Sequence, residues 1–353
     1  MRIRPKSVTL ERMNQVVLYQ HPSYFEHDSG FGHPECAERL RAIDTGLHES
    51  GVSENIRTAV PKAAGAQDLY RVHDRHYVDR ILSLRGKTEQ LDGDTRVSPG
   101  SVDAALHAVG AVIEAVDAVL ARSCDTAFCL VRPPGHHAEK DHAMGFCLFN
   151  NVAVAAAYAL AEKGLKRVLI FDPDVHHGNG TQHLFYERPD VFYFSIHQWP
   201  FFPGTGSVEE TGAGEGRGRN VNVPLPAGMG DPEYLYVTRK LLCPLIENYR
   251  PDLVVFSAGF DSHLLDPLGE MELSDEGFRG MYGEVLDTLE SLAIPFFFVL
   301  EGGYSLEALR SVVPRLIVDL VSGDRIQANP SRPQKIAVET VAEVLRRLES
   351  GVD

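Results

Sequence analysis

The chain has no long apolar run, few cations for its acids, no paired cysteines and no linker, and each absence removes a class of protein. The basic opening MRIRPKSVTLERMNQ is followed only by the short apolar stretch Val16 to Tyr19, which cannot form a signal-peptide core or a membrane span. A cytoplasmic protein without a membrane partner is expected. Lys and Arg number 34 against 49 Asp and Glu, a formal net charge of -15, and no basic stripe is interleaved with aromatics, which argues against nucleic acid as a direct partner. Such a field favours a cationic substrate, although many globular proteins are simply acidic. The five cysteines are odd in number and form no CxxC pair, so neither a disulfide framework nor a cysteine-ligated zinc is indicated. They read as buried thiols, with Cys147 expected near a metal because it follows a histidine-rich loop.

No Pro/Ser-rich tract, low-complexity segment or repeat divides the 353 residues, and a 44% hydrophobic share is enough for a large core. One catalytic domain is expected over 16–353, behind a flexible leader over 1–15, with Met13 as an alternative start that N-terminal sequencing would test. The glycine-rich stretch Thr211 to Gly218 contains neither GxGxxG nor GxxxxGK(S/T) after a strand, so it is expected to be an exposed loop rather than a phosphate cradle.

What the chain does have is apolar strands that end in chemistry. Arg167 to Phe171 (RVLIF) runs into Asp172-Pro173-Asp174-Val175-His176-His177, and the proline and glycines that follow place these groups on a loop. Taken alone, Asp-Pro-Asp is a turn and the histidines are surface residues. The pattern recurs, however. Thr126 to Val131 opens into Arg132-Pro133-Pro134-Gly135-His136-His137, Val191 to Ile196 delivers His197, Leu253 to Ser257 delivers Asp261, and Ile294 to Leu300 delivers Glu301-Gly302-Gly303-Tyr304. One site at the carboxyl edge of a parallel sheet accounts for all five. Helices are expected at Pro34 to Glu49, Ser101 to Arg122, Asn150 to Lys163, Glu233 to Tyr249, Ser274 to Leu292 and Val338 to Glu349. Their alternation with strands predicts an α/β fold, three layers of α/β/α around a mainly parallel sheet.

Two carboxylates and one imidazole can hold a divalent cation and leave a position open, which is the layout of a catalytic site. Asp174 and His176 alternate on an extended backbone and Asp261 approaches from a neighbouring edge loop, so these three are the expected ligands. An oxygen-rich set also admits iron(II), manganese or cobalt. Of the adjacent His136 and His137, one is expected to act as base toward a metal-activated water and the other as its electrostatic partner. Tyr304, arriving on a Gly-Gly turn, can donate its hydroxyl to an oxyanion. Metal, base and oxyanion donor together describe hydrolysis of an amide or ester.

These residues resemble those of the zinc-dependent histone deacetylases and acetylpolyamine amidohydrolases, which share an arginase-like fold. The resemblance runs over roughly residues 20 to 320, through GHPECAERL, RPPGHHAEKDHAMGFCLFNN, FDPDVHHGNGTQ, FFPGTG, SAGFDSHLLDPLG and LEGGY, with HHGNG and DPLG similar to class II and its bacterial relatives. It implies zinc on Asp174, His176 and Asp261, His137 as general base and acid, His136 as its partner, and Tyr304 as oxyanion donor. It implies a tunnel lined by Gly145, Phe146 and Phe202 with Leu268 at the rim. A structural potassium is implied at Asp172, Ser195 and Ile196, partly through backbone carbonyls, and a second at Phe185, Arg188 and Val191. Asn179 replaces the aspartate of class I members, so the pKa of His137 is expected to differ from theirs.

The implied activity is removal of acetyl or longer acyl groups from lysine side chains of peptides or proteins. Acetylated polyamines are the alternative substrates. Leu268, where polyamine-selective eukaryotic relatives carry glutamate, and the short Tyr77 to Pro99 stretch favour acyl-lysine, while Asp92 or Asp94 offers a contact to a substrate backbone or amine. A two-manganese ureohydrolase is disfavoured because Asn179 stands where a further acid is needed. A catalytically silent acyl-lysine binding module is the reading from another class, and the intact Tyr304 argues against it. Oligomerisation is open.

Overall fold

The computed structural model describes residues 14–52, 56–326 and 331–350. The expected leader lies almost wholly outside these. Its last two residues are tied down, Asn14 N–H donating to the Val321 carbonyl at 2.9 Å and Gln15 N–H to Asp125 at 2.7 Å.

Ten strands occur among the described residues: β1 (Val16–Tyr19), β2 (Ile56–Ala59), β3 (Glu89–Gln90), β4 (Arg96–Val97), β5 (Thr126–Cys129), β6 (Val168–Asp172), β7 (Val191–Gln198), β8 (Asn220–Leu225), β9 (Leu253–Ala258) and β10 (Phe296–Leu300). Eight form one sheet in the order β2-β1-β5-β10-β9-β6-β7-β8, and every pair in it is parallel. The remaining two, β3 and β4, make a short antiparallel hairpin. Strands β6, β9 and β10 are buried along their whole length, because helices cover both faces of a parallel sheet. Phe298 of β10 stands in register between Phe256 of β9 and Phe128 of β5, and its ring stacks on Phe256 at 4.2 Å. Edge strand β8 carries Pro224, which a central strand would not tolerate.

The helices are α1 (Glu38–Ser50), α2 (Ala66–Leu69), α3 (Arg75–Leu82), α4 (Ser101–Leu120), α5 (Asn151–Glu162), α6 (Asn179–Phe185), α7 (Asp231–Val237), α8 (Cys243–Tyr249), α9 (Asp275–Ser291), α10 (Leu306–Ser322) and α11 (Lys335–Ser350). Side-chain caps start several of them: Asn150 accepts from Ala153 N–H, Ser274 from Gly277 N–H and Ser305 from Ala308 N–H. Helix α4 packs on α5, while α1 packs on α10, α10 on α9 and α9 on α7 and α8. None of these helices is long and apolar enough to cross a membrane.

Three expectations need correction. The Glu233 to Tyr249 helix is interrupted by a π-helical segment at Thr238–Leu242, just before Pro244, whose missing N–H cannot continue the α ladder. Helices α2, α3, α6 and α10 were not expected. His197 lies inside β7 rather than after it, and its ring bonds to Ser195 Oγ at 2.8 Å and the Gly206 carbonyl at 2.9 Å instead of reaching Asp174, His176 or Asp261.

Candidate active site

The loops after β6 and β9 bring Asp174, His176 and Asp261 together, one donor atom from each lying within 4.8 Å of the others. His176 Nδ1 stands 3.2 Å from both Asp174 Oδ1 and Asp261 Oδ2. Donors about 2.0–2.2 Å from a tetrahedral ion stand about 3.3 Å apart, so the spacing suits zinc. The outer oxygens are occupied, Asp174 Oδ2 by Gly302 N–H and Asp261 Oδ1 by Val175 N–H, each at 2.8 Å, so the inner oxygens face the shared point. Burial and the facing charge of Asp174 push the Asp261 carboxyl up to about 7, while burial at Asp174 is outweighed by His136 and His176, which hold it well below the ordinary carboxylate range.

His136 and His137 follow the end of β5. His136 Nδ1 lies 3.1 Å from Asp172 Oδ2, and burial, which opposes its charge, is outweighed by Asp174 and Asp172, holding it up to about 10. His137 Nδ1 lies 2.7 Å from Asn179 Oδ1. Burial first, then the positive fields of His136 and His176, hold His137 far below the ordinary histidine value, so it is neutral. Tyr304 follows β10, with its backbone N–H on Asp266 at 2.6 Å and the Arg39 guanidinium 4.9 Å from its ring. Burial pushes its phenol well above 10 against the pull of Arg39, so it stays a donor at neutral pH.

Phe202 packs edge-on to His137 at 5.2 Å, and Phe146 to Tyr304 at 5.8 Å, so each polar group has its own aromatic neighbour. Gly145, at φ +53, allows this approach, since a Cβ there would lie 2.5 Å from His137 Cδ2. Phe146 itself has φ +69, strained for a side chain of that size. Leu268 is half-buried, its N–H donating to Asp266, the carboxylate that also holds Tyr304. Asp94 is exposed on the β3–β4 turn, which is joined to the wall by the Phe146 N–H to Thr95 Oγ1 bond at 3.1 Å.

Of the residues assigned to potassium, Asp172 and Ser195 are partners in register across β6 and β7, with Ile196 next along β7. Phe185 ends α6, its carbonyl accepting from Arg188 N–H at 3.0 Å, while the Arg188 guanidinium holds Asp190 and Val191 begins β7. Cys147 is a free, buried thiol that donates to the Gly145 carbonyl and stands outside the ligand triangle.

A second set of groups, unassigned from sequence, holds the loops in place. Arg39 donates to the carbonyls of Gly303 at 2.6 Å and Glu301 at 2.5 Å, pinning the backbone before Tyr304. Glu35 lies between the guanidiniums of Arg39 and Arg132, all fully buried. Glu301 accepts from the N–H groups of Gly135 and His136 at 2.6 and 3.1 Å, so the strand that presents Tyr304 also orients the histidine loop. Arg132 and Glu301 were visible as charges adjoining apolar strands within RPPGHH and LEGGY, whereas Glu35 and Arg39 lie before and within α1, where GHPECAERL marks them only as charges at a helix start.

The histone deacetylase domain family matches residues 33–320. The chain is 41% identical over 297 residues to the histone deacetylase-like amidohydrolase of Pseudomonas aeruginosa, covering 83% of this chain and 78% of that one. It is 44% identical over 298 residues to a probable deacetylase of Methanothermobacter thermautotrophicus, covering 83% and 87%. The crystal structure of the HDA15 HD domain superposes with a TM-score of 0.89 at 33% identity, over 96% of this chain and 95% of that one.

Proposed function

The chain belongs to the histone deacetylase family, a hydrolase acting on amide bonds, and from that premise we propose that it removes acetyl or longer acyl groups from lysine side chains of peptides or proteins. The supporting observation is one juxtaposition: of the clustered donors Asp174, His176 and Asp261, His176 stands edge-on to a neutral His137 at 5.9 Å and Asp174 accepts from Gly302 N–H two residues before a protonated Tyr304, with Phe202 against His137 and Phe146 against Tyr304. We assign zinc to the triangle, a structural potassium to Asp172, Ser195 and Ile196, a second to Phe185, Arg188 and Val191, and the catalytic domain to 16–353.

Zinc, when bound, polarises the acyl carbonyl and lowers the pKa of water to about 7. His137 takes the proton of the attacking water at Nε2, since its Nδ1–H is committed to the Asn179 oxygen. His136, positively charged against Asp172, keeps His137 a weak base that readily returns the proton to the departing amine. Tyr304 donates its O–H to the oxygen that gains charge as the carbonyl is attacked. The apolar faces of Phe146 and Phe202 suit the methylene chain of an acyl-lysine, and Leu268 offers no charge to a second amine. Asp94, an exposed carboxylate on a protein of net charge -15, supports acetylpolyamines as the second reading.

The test is hydrolysis of an acetyl-lysine peptide and of acetylputrescine by zinc-loaded protein, beside Tyr304→Phe and His137→Ala. Peptide turnover lost by about 100-fold or more in both variants is expected. Turnover of acetylputrescine alone overturns the lysine reading, and an inactive wild type that still binds acetyl peptide favours a binding module.

A further inference from the structure

An amide has two ends of similar shape and opposite hydrogen-bonding character, so the His137–Asn179 contact raises the question of which end His137 meets. The Asn179 Nδ2 group donates to Glu139 Oε1 at 2.6 Å and, at longer range, to the His137 carbonyl at 3.3 Å and Met144 Sδ at 3.4 Å. A carboxylate can only accept, so the NH2 end belongs there and the oxygen end faces His137 Nδ1 at 2.7 Å. His137 must then carry its proton on Nδ1 and leave Nε2 with a lone pair. We propose that Glu139 is a positioning residue that fixes the Asn179 amide and, through it, the tautomer in which His137 can accept a proton. The proposal rests on the reading of His137 as general base.

Glu139 is itself held rigidly. It is 8% exposed, its carbonyl accepts from His73 Nδ1 at 2.8 Å, its N–H donates to the His142 carbonyl at 3.0 Å, and Oε1 also meets His183 Nδ1 at 2.7 Å. Helix α6 carries both Asn179 and His183, so one carboxylate ties the histidine loop to that helix at two points. Without it, the acceptors left to Nδ2 are the two long ones. The amide can then turn over and offer its NH2 to Nδ1, which moves the His137 proton to Nε2, the atom that must receive one.

Glu139→Ala is expected to lower kcat by about 10- to 100-fold with KM little changed, as removal of an outer partner of a catalytic group does. Glu139→Gln keeps an oxygen that accepts from Asn179, so it retains most of the activity, and where Glu139→Ala fails to fold, a folded Glu139→Gln as inactive as His137→Ala, or a wild-type His137 ring protonated on Nε2 in the nitrogen-15 spectrum, overturns the proposal. In Asn179→Asp both ends of the side chain accept and no orienting partner is needed, so adding Glu139→Ala in that background causes no further loss. Nitrogen-15 spectra of the His137 ring should show Nδ1–H in the wild type and a shift toward Nε2–H in Glu139→Ala. Full kcat in Glu139→Ala, or the same fold-loss in both backgrounds, overturns the proposal. A fully active His137→Ala removes the base reading and this inference with it, whereas an inactive His137→Ala beside a fully active Glu139→Ala removes this inference alone.

Discussion

His73 shows how a buried histidine outside the Asp174–His176–Asp261 cluster constrains the protein through its protonation state. Its Nε2 accepts from Asn150 N–H at 2.9 Å while Nδ1 donates to the Glu139 carbonyl, so protonation would set one N–H against another. Burial holds it down to about 4, against the pull of the Glu139 and Lys140 carbonyls, and burial holds His197 down to about 4 as well. A folded pKa below the ordinary 6.5 means that the contribution is complete above that value and is lost as pH falls toward 4, because the unfolded chain takes up the proton first. Each ring costs up to about 3 kcal/mol by the bottom of that window. The melting temperature should therefore fall between pH 6.5 and 4, and His73→Gln should reduce by about one the protons taken up on unfolding. An unchanged slope in that variant would show that His73 is charged in the folded protein. Asp174, His176, Asp261 and Tyr304 stood out in the sequence because each sits in a short loop dense with ionisable groups. Glu35, Arg39, Arg132, Glu139 and Glu301 did not, because each acts through a partner distant in the chain, and single charges near strands are common.

Helices α1 and α10 bracket the Tyr304 loop from two directions, α1 through Arg39 and α10 through its cap Ser305, whose N–H shares the Asp266 carboxylate with Tyr304. The helices meet at Gly46, where a Cβ would lie 2.0 Å from the Arg310 carbonyl oxygen and 2.6 Å from Pro314 Cγ. Pro314 has no N–H to return to that carbonyl four residues back, so the missing rung and the missing Cβ meet at one contact. Gly46→Ala should destabilise the protein by about 1–3 kcal/mol through forced separation of the pair, read as a lower thermal midpoint by circular dichroism. An unchanged midpoint would mean that the helices part without cost. Pro314 also explains why α10 was not legible, since a proline inside a helical run reads as a stop. The five expected strands were legible because strands buried on both faces are unbroken apolar runs, FFFVL in β10 and LVVFSA in β9. The edge strands β2 and β8 were missed, carrying IRTA and NVNVPL, in which polar residues break that pattern, and β1 was missed as well, its VVLY having been read only as a short apolar stretch.

At the scale of the whole molecule, strand order makes the site. The strands that end in the candidate catalytic and metal residues, β5, β10, β9, β6 and β7, are consecutive in the sheet though not in the chain. Residues between His136 and Tyr304 therefore converge at one carboxyl edge. The sequence shows which strands end in ionisable groups, but strand order depends on where each crossover helix packs, which no single segment encodes. The charge adds a last consequence. A net charge of -15 attracts cationic peptides over a distance set by screening, about 10 Å at 0.1 M salt and about 3 Å at 1 M. For an acetyl-lysine peptide with further lysines, KM should rise several-fold between about 0.05 and about 0.5 M salt while kcat stays level, because salt weakens encounter and leaves the enclosed chemistry alone. A neutral acetyl-lysine peptide should show little change over the same range. Equal responses from the two peptides would mean that the field does not select substrates and that recognition is confined to the walls of Phe146 and Phe202. A response confined to the cationic peptide but lost in Asp94→Asn would trace it to one rim carboxylate instead of the whole surface.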